Sequence, residues 1–570
     1  MDNYSFFLSS SLEKVFPDKE PKALGNKDSL SIWKGSRGSI QLVYYAKDIK
    51  GFMSQQLFNI EVLNSPCPYS LRSVELIPSD FPVYGERDDN YITDKPGLYP
   101  DLLQPKDDNT ILPVPGQYRS IWITFEADHE TKSGSHNIKI KIKPVEKRVL
   151  PNGVLYEDKD VKGWEEELSF TLNIGLEINK QKLIHTEWFH TDCLANYYNV
   201  DSFSPKHFEI IENFIESEHR HNVNMILTPI FTPPLDTRVG GERKTVQLVD
   251  VFIDKGVYSF DFHKLKKWCT ICKRHSIKYL EIPHFFTQWG ATSCPKIKAT
   301  VDGVYKKIFG WETSSTSKEY KEFLQILIPL LQYELNKCGY DQDHVFYHIS
   351  DEPNITQLDD YKKSREIVKD VIDENQIIDA LSNVEFYKKG IVPHPIPSSS
   401  EIEDFYKENI KDLWVYYCCA QCKDVPNRFF SMPSPRNRIM GVLMYLYDIK
   451  GFLHWGFNFY NSKFSLKAIN PYINTHADFA FPSGDAFLVY PGEDGKALDS
   501  IRSEVQDEAL LDLRALQTLE SLTSRAYVET LIYDGIEEED MPFTFTKYPR
   551  DEEYLLNLRE HVFRNIESNR

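Results

Sequence analysis

Two acids stand side by side in HVFYHISDEPN, residues 344–354: Asp351 and Glu352. The stretch opens as the apolar, β-branched and aromatic run of a buried strand. It ends at Pro353, which cannot donate to a sheet ladder and so stops the strand. Where a buried strand surfaces, an acid pair adds nothing to folding, so its placement points to chemistry. Two-carboxylate glycosidases hold their acids about 5.5 Å apart to retain configuration, or about 6.5–9.5 Å apart to invert it. Neighbouring residues instead have Cα atoms about 3.8 Å apart and side chains that diverge along a strand. Both can face one substrate only if the backbone bends as the strand ends.

An adjacent pair suits hydrolysis in which the substrate brings its own nucleophile. The oxygen of a sugar 2-acetamido group attacks C1 and forms an oxazolinium-like intermediate. One carboxylate accepts the acetamide N–H and balances the developing positive charge. The other protonates the leaving oxygen and then takes a proton from water. Asp351 is expected as the polariser and the longer Glu352 as the general acid/base, kept protonated near neutral pH by the neighbouring charge.

Such a pair needs a scaffold that gathers strand ends. From about residue 180, apolar strands alternate with helix-like segments: LIHTEWFH (183–190), NMILTPIF (224–231), YLEIPHFF (279–286), VFYHIS (345–350), IIDALSN (377–383), IVPHP (391–395), LWVYYC (413–418), GFLHWGF (451–457) and AFLVYP (486–491). Amphipathic stretches lie between them, among them SPKHFEIIENFIESEHRHN and SKEYKEFLQILIPLLQYELNKCG, the latter closed by Gly339 at the position of a helix C-cap. Nearly all-apolar strands alternating with helices predict a parallel sheet and, with eight repeats, a catalytic (β/α)8 TIM-type barrel over 179–495. Nine candidates compete for eight places, so one of the last four is expected to be a hairpin or outer strand. The strand exits carry Trp188, His190, Asp192, Asp236, Arg243, Gln247, His284, Gln288, Trp289, Asn383, Tyr416, Tyr417, Trp455 and Asn458. Amides and carboxylates for hydroxyls, with aromatic faces for a ring, are what a sugar site needs.

Before the barrel, 1–178 reads as an antiparallel β-sandwich of accessory character. SIQLVYYAK, FNIEVLN, SVELIPS, SIWITFEAD, HNIKIKIKP and LSFTLNIGLE alternate with period two between turn-rich pieces such as GERDDNYITDKPGLYP. After it, 496–570 reads as amphipathic helices packed on the outside of the barrel. The whole is a multidomain β and α/β protein.

Composition narrows the partners. The 570 residues include 66 basic and 85 acidic side chains, a net charge of −19, which disfavours nucleic acid and anionic membrane. The N-terminus lacks the basic stretch and apolar core of a signal peptide, and no segment reaches the roughly 18–20 apolar residues of a membrane span. Nine cysteines, an odd number in a long chain, favour a reducing compartment, so a cytoplasmic location is expected. Cys269-x-x-Cys272 and Cys419-x-x-Cys422, with Cys418 beside it, have zinc-like spacing. The first pair sits on an apolar helix pattern about 150 residues from the second, so core thiols are expected, and no metal or other cofactor. Oligomeric state is not legible.

HISDEP, with TEWFHTDCLANYYNV, ILTPIFTPPLDT, TVQLV, LWVYYCC, GFLHWGFNFY and FPSGDAFLVYPG in order over about 180–510, resembles glycoside hydrolase family 123. The resemblance implies a retaining, metal-independent, exo-acting β-N-acetylgalactosaminidase with a sandwich followed by a barrel. Its substrates would be terminal β-GalNAc, including that of glycosphingolipid glycans, and its polariser and acid/base fall on Asp351 and Glu352. The other contacts rest on the strand ends alone. Either Tyr416 or Tyr417 donates to the acetamide oxygen, alternation admitting only one and Tyr416 the better placed. Trp455 floors the subsite, and Asn383, Asp236, His190 and Asn458 are candidates for polar contacts. Two alternatives remain: the same machinery acting on β-GlcNAc, and a carbohydrate-binding barrel without turnover.

Overall fold

The structure, a computed structural model, describes residues 3–24, 29–47, 55–150, 152–157, 164–288 and 290–570. The N-terminal region forms two facing sheets of five and six strands. All six alternating runs become strands, among them Ser36–Ala46, Tyr118–Ala127 and Gly134–Val149. Their inward residues, including Leu42, Ile123, Phe125, Ile60, Ile140 and Leu172, share one buried cluster, as period-two alternation requires. The sandwich is not wholly antiparallel: Ser29–Trp33 runs parallel to Glu166–Gly175.

Beyond Gly175, eight short parallel strands follow: β1 (Ile184–Glu187), β2 (Met225–Leu227), β3 (Tyr279–Ile282), β4 (Val345–Tyr347), β5 (Ile378–Ala380), β6 (His394–Ile396), β7 (Trp414–Tyr416) and β8 (Gly451–His454). Six make one continuous sheet in the order β4-β3-β2-β1-β8-β7, a half-barrel. β5 and β6 pair with each other and meet the sheet edges through single parallel bridges, Tyr347 to Ile377 and Ser398 to Tyr416. The ninth candidate, AFLVYP, yields only Tyr490–Pro491, half of a small antiparallel pair. Two hairpins absent from the sequence reading form a separate four-stranded sheet between residues 250 and 309. Their turns, Lys255-Gly256 and Asp302-Gly303, have both residues at positive φ (48°, 81°, 47° and 84°), the geometry that suits tight hairpins.

The C-terminal helices pack on the helices that flank the parallel strands and also meet the sandwich. Ile501–Leu522 is buried along most of its length between the parallel strands' helices and the sandwich. Its apolar residues join a cluster that also holds Trp33, Trp122 and Tyr99 of the sandwich, so one core runs through both regions. Its charged residues meet partners there: Arg502 reaches Asp101 at 2.8 and 2.9 Å, and Glu504 faces Arg72 at 2.9 Å and Arg37 at 3.3 Å. The turn-rich 85–96 segment is an arm lying on the parallel-strand region, where Asp88 takes the Arg436 guanidinium at 2.9 Å and Tyr91 donates to the Cys422 carbonyl at 2.6 Å.

Candidate active site

Strand β4 does not stop at Tyr347. Phe285 N–H and Phe286 N–H donate to the carbonyls of His348 and Ile349, so the chain stays extended to the acids. Glu352 then takes φ of 40°, the left-handed region a non-glycine residue rarely adopts, and its N–H donates to the Ala380 carbonyl at 3.2 Å. This is the bend that an adjacent pair requires. Backbone strain of about 1–3 kcal/mol at such a residue persists only where its surroundings enforce it. As a result Asp351 and Glu352 line one cavity, of about 140 Å3, with Asp236, Gln288, Tyr416 and Trp455. A wider hollow of about 650 Å3 lies on the flank, against the helix Lys318–Lys337, away from the strand exits.

Both carboxyls are held above their ordinary range. For Asp351, burial dominates and the Glu352 charge adds to it. For Glu352, burial also dominates, the Tyr416 hydrogen bond opposes it, and the charge of Asp485 adds. The pair therefore retains a proton more readily than two surface acids would. Tyr416 donates its hydroxyl to Glu352 Oε1 at 2.6 Å, so in this state the hydroxyl serves the acid/base candidate and not the place of an acetamide.

Beneath the cavity lies a buried polar layer. Glu281 on β3 accepts Trp188 Nε1–H at 2.8 Å, Thr186 Oγ1–H at 2.6 Å and His348 Nε2–H at 2.5 Å. His348 Nδ1 meets Asp379 Oδ1 at 3.2 Å, and Tyr361 donates to Asp379 Oδ2. Burial opposes charge on His348, but its hydrogen bonds to Asp379 and Glu281 outweigh it and raise the imidazole to about 10. His348 is thus a fixed cation under Asp351. A second bundle supports Trp455. Arg428 forks onto Glu187 at 2.7 and 2.8 Å and donates to His454 Nδ1 at 2.7 Å, which also receives Gly456 N–H at 3.0 Å. The His454 proton therefore sits on Nε2, 3.7 Å from Asp485, whose other oxygen accepts Trp455 Nε1–H at 3.0 Å.

Of the residues anticipated from sequence, Asp351, Glu352, Tyr416, Trp455 and Asp236 line the cavity, together with Trp188 and Gln288 from the strand exits. The remaining proposed sugar contacts, Tyr417, Asn383, Asn458 and His190, make contacts elsewhere. Tyr417 faces the opposite side of its strand, with its ring against Phe452 and His454. Asn383 caps Glu385 N–H at 3.0 Å. Asn458 accepts His190 N–H at 2.8 Å, and His190, kept neutral at about 3 by burial and then by Arg243, bonds the Trp455 carbonyl at 2.8 Å. Trp289 lies outside the described residues. Asp485, Phe481 and the thiols Cys418 and Cys419 were not singled out as site residues. Asp485 stands in FPSGDAFLVYPG, where an acid before an apolar run was the available signal.

Among the described residues, His284, His348 and Asp379, and separately His221, Asp499 and Glu504, have donor atoms close enough to hold a cation. In the first set both His348 nitrogens already meet carboxylates, and in the second Arg72 supplies charge at 2.7 and 2.9 Å. No helix among the described residues is long and apolar enough to cross a membrane.

The sequence model of a family described as "Glycoside hydrolase 123, catalytic domain" matches residues 188–519, a span that takes in most of the buried Ile501–Leu522 helix. Among solved structures, a family 123 glycoside hydrolase from Clostridium perfringens, analysed for the details of glycolipid glycan hydrolysis, is similar in fold. That likeness covers 100% of this chain and 98% of the other, with a TM-score of 0.71 at 12% identity. A β-glucuronidase from Parabacteroides merdae covers 87% of this chain with 52% of its own, but its TM-score of 0.28 at 8% identity carries no argument. No curated protein matches the sequence.

Proposed function

The chain belongs to glycoside hydrolase family 123, and from that premise we propose that it is an exo-acting, retaining β-N-acetylgalactosaminidase working by substrate-assisted catalysis. The observation that carries the reading is the bend at Glu352, which turns two adjacent carboxyls into one small cavity walled by Trp455 and Trp188. No third carboxylate is required, because the 2-acetamido oxygen attacks C1. Asp351 accepts the acetamide N–H, and this bond stabilises its anion and leaves the shared proton on Glu352. Glu352 then protonates the leaving oxygen, and as the oxazolinium opens it takes a proton from the attacking water. Tyr416 fits either of two acceptors: Glu352 when the cavity is empty, and the acetamide oxygen once a sugar fills it.

On this reading the eight parallel strands act as a (β/α)8 barrel with its site at the strands' C-terminal ends. The sandwich over 1–178 is an accessory region, and the catalytic unit runs through the Ile501–Leu522 helix. The substrate is a GalNAc-terminated oligosaccharide or glycolipid glycan, met in the cytoplasm.

The test is release of p-nitrophenol from β-GalNAc and β-GlcNAc glycosides by the wild type, Asp351→Asn and Glu352→Gln. Preference for β-GalNAc, with both variants falling by about 100-fold or more, is the expected result. Preference for β-GlcNAc would move the specificity to that epimer. A folded protein that binds the sugar but turns over neither glycoside would replace hydrolysis with carbohydrate binding.

A further inference from the structure

Gln288 is 4% exposed and lines the cavity, yet its Nε2 has no hydrogen-bond partner among the described residues. Its orientation is fixed, because Oε1 accepts Asp236 N–H at 2.6 Å, and that leaves the amide NH2 as the free end. Asp236 is itself clamped. Its φ is 36°, Phe464 N–H takes its Oδ2 at 2.9 Å, and Ser465 Oγ donates to its carbonyl at 2.8 Å. Phe464 and Ser465 are also left-handed, at φ of 57° and 52°, so three strained residues hold one carboxylate against the cavity. Asp236 Oδ1 is the oxygen left for a ligand. A buried amide donor beside a half-buried carboxylate acceptor is a complete socket for one hydroxyl, which both donates and accepts.

We propose that Gln288 and Asp236 together bind the C4 hydroxyl of the terminal sugar and so distinguish its galacto from its gluco configuration. The inference rests on the glycosidase reading and deepens it. Tyr416 and Glu352 mark the C1 end of the ring, since Glu352 moves the proton of the glycosidic oxygen. Gln288 follows β3 and Tyr416 ends β7, four places apart in the series of eight strands. C4 lies across a pyranose ring from C1, so the substituent that reaches Gln288 is the one at C4. The two epimers differ only there. A socket that must pair the buried Gln288 amide penalises the epimer that leaves it unpaired, because an unsatisfied buried polar group costs more than a hydrogen bond gains.

The experiment compares the p-nitrophenyl β-glycosides of GalNAc and of 4-deoxy-GalNAc for wild type, Gln288→Leu, Gln288→Glu and Asp236→Asn. Binding of the free sugars GalNAc, GlcNAc and 4-deoxy-GalNAc is followed in parallel by tryptophan fluorescence. The expected result is a loss in kcat/KM of about 10-fold or more on GalNAc for each variant, with 4-deoxy-GalNAc changed by less than about twofold. Comparing two substrates within one variant cancels any general damage to the fold. Equal losses on both substrates would overturn the assignment. The binding arm separates the two claims: sugar discrimination lost in the variants supports the socket even if no glycoside turns over, and absence of discrimination in the wild type overturns it even if hydrolysis proceeds.

Discussion

Tyr416 and Glu352, 64 positions apart in sequence, share a 2.6 Å hydrogen bond in which the phenol donates to the carboxylate. That bond favours the Glu352 anion and works against the burial that holds the carboxyl up. Removing it in Tyr416→Phe should raise the Glu352 pKa of the free enzyme further, so the basic limb of the kcat/KM profile, where the general acid loses its proton, should move to higher pH. The turnover at the optimum should fall by about 10-fold or more, because the same hydroxyl serves the acetamide. A basic limb that stays in place, or moves downward, would remove Tyr416 from the proton chemistry.

The cation beneath the site gives a prediction about stability. His348 is raised to about 10 in the fold against about 6.5 for a free imidazole. A raised group stabilises the fold fully below its unfolded pKa, and that contribution is lost as pH rises through the folded value. Asp379→Asn removes one of its two carboxylates and should cost about 3–5 kcal/mol at pH 6, the usual result of breaking a buried pair. Urea unfolding should show the gap from wild type narrowing between pH 6.5 and 10. A gap that is constant with pH would mean that His348 is neutral in the fold.

What sequence reveals here follows from how local each feature is. The sandwich strands were legible because period two is written in consecutive residues, and Tyr416 was separable from Tyr417 on the same ground. The hairpins between 250 and 309 were legible but passed over: Asp302-Gly303 between alternating runs is a strong turn signal, and it lost to the expectation of uninterrupted strand and helix. The interior acids left a fainter sign. Glu187, Glu281 and Asp379 each interrupt an apolar strand, and a charge there survives only with buried partners such as Arg428 and His348. The clamp on Asp236 was not legible, because Phe464 and Ser465 arrive from 228 and 229 residues away. Nor was the second contact of the Ile501–Leu522 helix: packing on the barrel was expected, but its charges are also met from the sandwich by Arg37, Arg72 and Asp101.

That contact predicts an acid-sensitive junction. Burial works against the Glu504 charge, but Arg37 and Arg72 outweigh it and bring the carboxyl down to about 2. A depressed acid stabilises the fold above its unfolded value of about 4.3 and ceases to do so as pH falls through the folded one. Glu504→Gln should therefore lose about 3–5 kcal/mol at pH 7, and the gap from wild type should close between pH 4.3 and 2. Limited proteolysis at pH 7 should cut the variant first between Gly175 and Ile184, where the sandwich joins β1. Unchanged proteolysis and unchanged urea midpoints would show that the apolar contact around Trp33 and Trp122 holds the two regions without the ion pairs.

The division of labour between the two acids can be read from leaving groups. If Glu352 protonates the glycosidic oxygen, its absence matters little when the departing group is already a good one, such as 2,4-dinitrophenol, and matters greatly for a sugar alcohol. Glu352→Gln should thus fall by less than about 10-fold on the activated glycoside and by about 1,000-fold on a natural glycosidic bond. Asp351 acts earlier, on the acetamide that attacks C1, so Asp351→Asn should lose the same factor on both. A 2-acetamido group replaced by trifluoroacetamido, a poorer nucleophile, should slow the wild type and Glu352→Gln in proportion. Losses that track the leaving group in Asp351→Asn instead would exchange the two roles. Losses that ignore the acyl substituent would place the nucleophile on the protein and end the substrate-assisted mechanism.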